Sequence, residues 1–394
     1  MNELALEVIR RNSCKAGLAA ACSGPAAPDG HLEYVHVWPR DAALVALELA
    51  HCDAVAAAAL TSSLAALQRD NGLLFQRYEL NGRPDERTWC NFTCSRQLDQ
   101  DALVLLSAYK TKVVLPELKS GLEALFAQVE AGLPCTDVWE QKQGYFFYST
   151  CALACGLAAA GKMIKSERSR CDATVRRLAE SLDCFWDNEL RCFTKTPDGT
   201  VDFEVALGIA LVLEYKPFAP DFRFLCRVLL SLGRIENELA ARVGNSFALL
   251  RYKEDFWDGE RVGAAGIGRP WPMGNLFVSE AYSLLAIEFK QLKNKRLDAH
   301  CSKKAGVWLA AAEAIPGFNE FPEQVGASGF APPNSPKQLS WCAAEYLKAL
   351  RLLALSRQLN SARQAFDVAR VARTAAVSAV VNHVARVAHQ VMAV

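Results

Sequence analysis

Two kinds of helical segment alternate along this chain, and the alternation limits the folds that it can adopt. Apolar residues recur at helical spacing in twelve segments, predicted as helices over 2–21, 41–52, 55–70, 97–111, 116–130, 148–163, 166–185, 203–214, 220–243, 274–290, 296–315 and 337–356. Every second segment, beginning with 41–52, is apolar on nearly all sides, whereas the others carry charge on one face. A helix that is apolar all round is buried, and one with a polar face is peripheral. The pattern therefore predicts an all-α fold without strands, an (α/α)6 barrel of six inner and six outer helices.

The connections between the predicted helices also alternate in length. They are short after each buried segment and long before it, and the long ones cover 22–40, 71–96, 131–147, 186–202, 244–273 and 316–336. Because successive helices run in opposite directions, all six long loops are expected at one end of the barrel. Long loops in compact domains are usually functional, so we expect the functional site at that end.

Charge and composition exclude several classes of function. The formal net charge of +1 over 394 residues argues against a nucleic-acid partner. The chain begins without a signal-peptide pattern and contains no uncharged apolar run of about 18 residues, so we predict a cytoplasmic protein without a membrane partner. The fourteen cysteines are scattered and are interpreted as free thiols. Neither they nor the six histidines have the spacing of metal ligands, so we predict no metal and no cofactor.

Five of the long loops combine aromatic side chains with carboxylates and guanidinium groups. They contain VHVWPRD, RTWCNFTCSRQLDQD, CTDVWEQKQGYF, RYKEDFWDGERVGAAGIGRPWPMG and FNEFPEQVGASGFAPP. Aromatic faces stack on sugar rings, and the charged side chains can bind sugar hydroxyls through paired hydrogen bonds. Five such loops at one mouth favour a carbohydrate pocket, with an oligosaccharide as substrate.

Two glutamates in these loops have bulky apolar neighbours. Glu140 follows Trp139, and Glu323 follows Phe321 and Pro322. A lone glutamate in a loop is usually a solvated surface residue. A carboxyl group beside an indole in a dry pocket has a raised pKa, however, as a general acid at neutral pH requires. Cleavage between two sugars needs two facing carboxyl groups, so we predict Glu140 and Glu323 as the catalytic pair.

Six segments in order resemble the glucoamylase family, glycoside hydrolase family fifteen. They are YVHVWPRDA, QLDQDALVL, DVWEQKQGYFF, VDFEVALGIALV, RYKEDFW…RPWPMGNLFVSEAY and FPEQV…APPNSPKQLSW, and they lie within about residues 30–356. The resemblance implies an inverting exo-α-glucosidase that releases β-glucose from non-reducing ends. It assigns Glu140 as the general acid and Glu323 as the general base, in a catalytic domain over 1–356.

The resemblance also implies roles for the neighbouring motif residues. Tyr34 would hold the base and its water, Arg40 and Asp41 would grip the hydroxyls of the terminal glucose, and Asp137 would orient the acid loop. Arg251 would bind glucose in the first two subsites, and Trp271 would wall the pocket. The substrate-binding candidates are Tyr34, Trp38, Arg40, Asp41, Asp137, Trp139, Gln141, Arg251 and Trp271.

Departures from the family pattern leave the substrate open. Gln141 stands where the family often has a second glutamate, and Arg269 replaces the asparagine of Asn-Pro-Trp after a glycine-rich insertion. A further pocket aromatic is either Trp89 or Phe92. We predict soluble oligosaccharides as substrates, because no starch-binding domain follows the barrel. The alternatives are a non-catalytic carbohydrate-binding or regulatory protein on the same barrel, or a family member that cleaves trehalose, dextran or a heteroglycan.

Residues 357–394 are predicted as an additional C-terminal helix. Valines recur there at three- and four-residue steps from Val368 to Val391. Such an apolar stripe outside a completed barrel either packs on the outer helices or forms a subunit contact in a homo-oligomer.

Overall fold

Helices dominate the computed structural model, which describes residues 1–13, 21, 34–68, 71–85, 97–253, 255, 268–333 and 335–360. Within these residues lie twelve α-helices: α1 (Asn2–Asn12), α2 (Pro39–Cys52), α3 (Ala54–Ala65), α4 (Leu98–Thr111), α5 (Glu117–Glu130), α6 (Phe147–Met163), α7 (Arg168–Ser181), α8 (Glu204–Tyr215), α9 (Phe222–Leu239), α10 (Pro272–Gln291), α11 (Lys295–Glu313) and α12 (Ser340–Asn360).

The even-numbered helices form a closed inner ring. Each packs against the next, from α2 through α4, α6, α8 and α10 to α12, and α12 packs back against α2. The ring helices are buried on nearly all sides for this reason; in α10, every residue from Pro272 to Phe289 is buried. The predicted all-α (α/α)6 barrel is therefore confirmed.

The odd-numbered helices lie outside this ring. Helix α3 packs on α2, α7 on α6, α11 on α10, and α1 on α12. Helix α9 is typical of them, since its buried residues Leu225, Val228, Leu232, Ile235 and Leu239 recur at steps of three and four. A stripe of this kind covers one face of the barrel and leaves the charged face in water.

Three short antiparallel hairpins correct the prediction of a fold without strands. They pair β1 (Cys135–Thr136) with β2 (Gln143–Gly144), β3 (Trp186–Asp187) with β4 (Cys192–Phe193), and β5 (Ala240–Val243) with β6 (Ser246–Leu249). Strands of two to four residues are too short to produce a readable alternation. Each hairpin lies in a long loop and leads into an inner helix, so the hairpins brace the end of the barrel where those helices begin.

Most predicted helix limits agree within a few residues, but several helices were predicted too long. The helix predicted over 55–70 ends at Ala65, and the one predicted over 166–185 ends at Ser181. The helix predicted over 220–243 ends at Leu239, because the chain then turns into the hairpin that begins at Ala240. The first helix ends at Asn12 rather than at residue 21, and the Ser13 cap has extended backbone. Helix α12 continues past residue 356 to Asn360.

Some predictions fall outside the described residues. These are the aromatic candidates Trp89 and Phe92, most of the glycine-rich insertion, and the C-terminal helix beyond Asn360. Among the helices that the structure describes, none is long and apolar enough to cross a membrane. The same residues contain no group of three His, Cys, Asp or Glu side chains arranged to hold a metal ion.

Candidate active site

A pocket opens at the end of the barrel where the inner helices begin. It encloses about 590 Å³, part of it open to solvent, and is lined by Tyr34, Trp38, Arg40, Asp41, Val138, Trp139, Glu140, Arg251, Trp271, Met273, Glu323, Leu339 and Trp341. The first turns of α2, α10 and α12 contribute directly, so the positive ends of these helices face the carboxylates.

Nine of the eleven predicted site residues line this pocket, and four lining residues were missed. Trp341 and Met273 are two of the missed ones, and each is the second residue of an inner helix, as is Arg40. Asp137 and Gln141 do not line the pocket; their contacts lie beside and beneath it.

Glu140 is held in place by amide side chains from the preceding loop. Gln97 Nε2 donates to Glu140 Oε1 at 2.8 Å, and Gln76 Nε2 donates to Oε2. Arg40 Nη1 lies 3.8 Å from Oε1. Burial raises the pKa of the Glu140 carboxyl, and Arg40 and the two amide donors act against that rise. Neither glutamine was predicted, because both come from a loop distant in sequence.

A tight turn over residues 137–142, called the acid turn below, presents Glu140 to the pocket. Asp137 Oδ1 accepts from the N–H groups of Gln141 at 2.6 Å and Lys142 at 2.9 Å. The Asp137 carbonyl accepts from the N–H of Glu140 at 3.0 Å. Glu140 itself has a φ of 60°, a left-handed conformation that side chains rarely adopt without support from their surroundings. Asp137 supplies this support.

Glu323 has a different partner, the hydroxyl of Tyr34. Tyr34 donates to Glu323 Oε1 at 2.9 Å. Burial raises the pKa of Glu323 to about 7, while the Tyr34 hydrogen bond and Arg251 act to lower it. Burial and the neighbouring Glu323 raise the pKa of the Tyr34 hydroxyl, so it remains a donor. The predicted pairing of Tyr34 with the candidate base is thus present in the geometry.

Most of the guanidinium N–H groups of Arg40 donate hydrogen bonds to other groups of the protein. Its Nε donates to Asp99 Oδ2 at 2.5 Å, and its Nη2 donates to Gln97 Oε1 at 2.8 Å. Its Nη1 donates to the Val138 carbonyl at 3.0 Å. Arg40 therefore ties the first turn of α2 to α4 and to the acid turn. The adjacent Asp41 also lines the pocket, and burial raises its pKa to about 7 against the opposing charge of Arg40.

Arg251 and two tryptophans form one wall of the pocket. The guanidinium carbon of Arg251 lies 4.6 Å from the ring centroid of Trp271 and 5.2 Å from that of Trp139. Asp255 fixes the guanidinium through Nε at 2.6 Å and Nη2 at 2.5 Å. A stacked, pinned cation on indole faces is rigid, so this wall is preorganised. Gln141 lies beside the wall, where its Oε1 accepts from the Tyr252 hydroxyl at 2.6 Å.

Arg40→Lys is expected to lower turnover of an oligosaccharide about 100-fold, although charge is kept. One ammonium cannot reach Asp99, Gln97 and the Val138 carbonyl together, so the amide of Gln97 loses its anchor against Glu140. Steady-state kinetics would measure this loss, with Arg170→Lys on the surface of α7 as control. Activity within a few-fold of the parent protein would leave Arg40 with no part in placing the acid turn.

The fold is similar to that of solved glucoamylases. A bacterial glucoamylase complexed with acarbose matches with a TM-score of 0.69 and 19% identity, over 88% of this chain and 55% of that one. A glucoamylase from Saccharomycopsis fibuligera matches with a TM-score of 0.71 and 16% identity, over 91% of this chain and 95% of that one. At such identities the likeness concerns the fold.

Sequence comparison gives the family. An uncharacterised glycosyl hydrolase of Methanocaldococcus jannaschii is 24% identical over 348 residues, which are 82% of this chain and 51% of that protein. This chain thus spans about half the length of that curated relative. The sequence pattern of glycosyl hydrolases family 15 matches residues 4–328, most of the barrel. The chain therefore belongs to glycosyl hydrolase family 15.

Proposed function

We propose that this protein is an inverting, exo-acting α-glucoside hydrolase that releases β-glucose from the non-reducing ends of soluble oligosaccharides. The observation that carries the proposal is the pair of buried carboxyls, Glu140 and Glu323, which line one aromatic pocket and have raised pKa values. Glycoside cleavage requires two carboxyl groups in one pocket. The resemblance of the flanking motifs to those of the family supports Glu140 as the general acid and Glu323 as the general base.

In the proposed reaction, the Glu140 carboxyl gives its proton to the glycosidic oxygen as the bond to the anomeric carbon breaks. The Glu323 carboxylate takes a proton from a water that attacks that carbon from the opposite face. One carboxyl gains the proton that the other loses, and the configuration at the anomeric carbon is inverted. Tyr34, through its hydrogen bond to Glu323, would fix the direction in which that carboxylate receives the proton.

The surroundings of Glu140 can serve both of its protonation states. Gln76 donates to Glu140 through Nε2, while its Oε1 is buried without a hydrogen-bond partner among the described residues. A half-turn of this amide would present Oε1 as an acceptor for a protonated Glu140. The same glutamine can therefore bind the acid before proton transfer and the carboxylate after it.

The pocket walls support action at chain ends. Trp139, Trp271 and Trp341 line a cavity that opens at one end of the barrel, and the inner helices around it pack into a closed ring. A pocket that opens at one end of the barrel supports binding of the end of a sugar chain. Asp41 and the pinned Arg251 supply charged edges for the hydroxyls of the terminal sugar.

Substrate choice is tested by measuring glucose release from maltose, isomaltose and trehalose side by side. We expect the fastest release from maltose. Faster release from trehalose or isomaltose would instead indicate a family member that cleaves trehalose or dextran. Binding of these sugars without any release of glucose would contradict the hydrolase proposal and favour a carbohydrate-binding protein.

The pH profile should move in a predictable direction when Tyr34 is changed to Phe. Glu323 must be ionised to act as base, so kcat/KM should fall as pH drops through its pKa of about 7. The Tyr34 hydrogen bond lowers this pKa, so Tyr34→Phe should shift the acid limb to higher pH. Profiles of kcat/KM against pH measure the shift, with the buried Tyr346→Phe as control. If the acid limb stays in place or moves to lower pH, Tyr34 does not lower the pKa of the catalytic base.

A further inference from the structure

Lys195 is a buried cation directly beneath the acid turn. It follows β4 in the loop before α8, and only 4% of its surface is exposed. Its Nζ lies 2.6 Å from Asp137 Oδ2, 3.3 Å from Asp202 Oδ2 and 3.5 Å from Glu204 Oε2. An ammonium has three N–H donors, and here it meets three carboxyl groups. Lys195 is absent from the lining of the pocket.

Two of these carboxyls connect Lys195 to the pocket. Asp137 uses its other oxygen to bind the N–H groups of Gln141 and Lys142, which closes the turn around Glu140. Asp202 Oδ2 accepts from the indole N–H of Trp139 at 2.8 Å. The ammonium of Lys195 thus contacts both the carboxyl that closes the turn around Glu140 and the carboxyl that binds the indole of Trp139.

The backbone of Lys195 is fixed as firmly as its side chain. Its N–H donates to the Thr200 carbonyl at 2.7 Å, and its carbonyl accepts from the N–H of Phe147 at 2.9 Å. Phe147 is the first residue of α6. The lysine is therefore anchored to the barrel itself, so a change at Nζ would be transmitted to the acid turn rather than absorbed by movement of the lysine.

Charge balance explains why a cation is needed here. Burial opposes the charged form of Lys195, but Glu204, Asp202 and Asp137 outweigh it and raise its pKa. Burial also raises the pKa of Glu204 well above its ordinary value. Removing one partner of a buried ion cluster leaves uncompensated charge, which is far more costly than losing a surface pair. Without the ammonium, Asp137 and Asp202 would repel each other or attract water under the turn.

We propose that Lys195 is a positioning residue for the general acid: by binding Asp137 and Asp202 together, it sets the place of Glu140 in the pocket. The inference rests on the proposed function, because it assigns to Lys195 an effect on proton donation by Glu140. A positional error of about 1 Å at a reacting group can cost about 100-fold in rate.

Lys195→Met tests this with two substrates that differ in their need for the acid. An oligosaccharide leaving group must be protonated, whereas fluoride leaves α-glucosyl fluoride without a proton from the enzyme. We expect kcat on the oligosaccharide to fall about 100-fold with KM changed only a few-fold, and kcat on the fluoride to fall less than about tenfold. A merely structural lysine would lower both rates alike.

Lys348→Met is the matched control. Lys348 is 5% exposed and also meets three carboxylates, with Nζ at 2.8 Å from Glu280, 3.4 Å from Glu345 and 3.8 Å from Glu214. Those carboxylates belong to α8, α10 and α12 and not to the acid turn, although one of them, Glu345, accepts from the indole N–H of the pocket residue Trp341 at 2.9 Å. The ratio of the two rates should stay at the parent value in this variant. The same change of ratio in both lysine variants would overturn the proposal.

A double variant with Glu140→Gln separates this inference from the proposed function. If Lys195 acts through Glu140, then Lys195→Met added to Glu140→Gln should cost less than about threefold more on the oligosaccharide. Additive losses would overturn the role of Lys195 while leaving Glu140 as the acid. A Glu140→Gln protein with full activity would instead remove the proposed function. Should Lys195→Met fail to fold, Lys195→Gln gives the same comparison, and an unchanged ratio there counts against the proposal.

Discussion

Glu140→Gln should lower turnover of an α-linked oligosaccharide about 10²–10⁴-fold while leaving sugar binding nearly unchanged. Glutamine keeps the size of the side chain and can still meet the amides of Gln76 and Gln97, but it has no acidic proton. The change thus removes an interaction made in the transition state and keeps those made in the ground state. Turnover is measured by glucose release, and affinity by titration of maltose against tryptophan fluorescence, since Trp139 lines the pocket.

Glu117→Gln provides the control for this prediction. Glu117 is an exposed residue at the start of α5, outside the pocket. It has the same chemistry and should change activity by less than a factor of two to three. Comparable losses in the two variants would deprive Glu140 of its assigned role. With α-glucosyl fluoride as substrate, the Glu140→Gln protein should recover much of its rate, because fluoride needs no proton to leave.

Glu323→Gln should be equally damaging, and no better on α-glucosyl fluoride. The attacking water must lose a proton whatever the leaving group is, so removal of the base affects both substrates. Glutamine can still accept the Tyr34 hydrogen bond, so the pocket should keep its shape and its affinity for sugar. The two variants therefore differ in one measurable respect: the fluoride rescues loss of the acid and fails to rescue loss of the base.

Glu320→Gln controls for damage to the loop that carries Glu323. Glu320 lies three residues earlier and forms an exposed ion pair with Lys337 at 2.8 Å. A surface pair of this kind contributes little to stability, so activity should be nearly unchanged. If Glu323→Gln hydrolyses the fluoride at the parent rate, Glu323 is not the base. Recovery on fluoride by Glu323→Gln but not by Glu140→Gln would mean that the two roles are exchanged.

The sequence was sufficient for the barrel because the relevant signal is local. An inner helix must be apolar on all sides, and α10 carries buried residues at every position from Pro272 to Phe289. Most pocket residues were also predictable, because short motifs place them in the loops before the inner helices or in the first turns of those helices. Tyr34 and Arg40 belong to one such motif, and Trp139 and Glu140 to another.

Contacts between distant loops could not be predicted from the sequence. Gln76 and Gln97 bind Glu140 from 64 and 43 residues away, and nothing in their local sequence indicates that they meet. Lys195 resembles any lysine in a polar loop until tertiary structure buries it against Asp137. Arg40 was predicted as a site residue, but its hydrogen bonds to Asp99 and Gln97 were not. The periodicity of apolar residues predicts the helices of the barrel. The hydrogen-bond partners of side chains cannot be predicted in this way, because distant loops meet only when the ring of helices closes.

Proton NMR of the first product formed from maltotriose tests the central claim most directly. Signals of the anomeric protons are recorded in the first minutes of reaction, before free glucose equilibrates between its two forms, with the Glu140→Gln protein as a blank. The account predicts that β-glucose appears first and that α-glucose grows in later by mutarotation, since water attacks the face opposite the departing sugar. Appearance of α-glucose first would contradict inversion, and with it the roles proposed for Glu140 and Glu323.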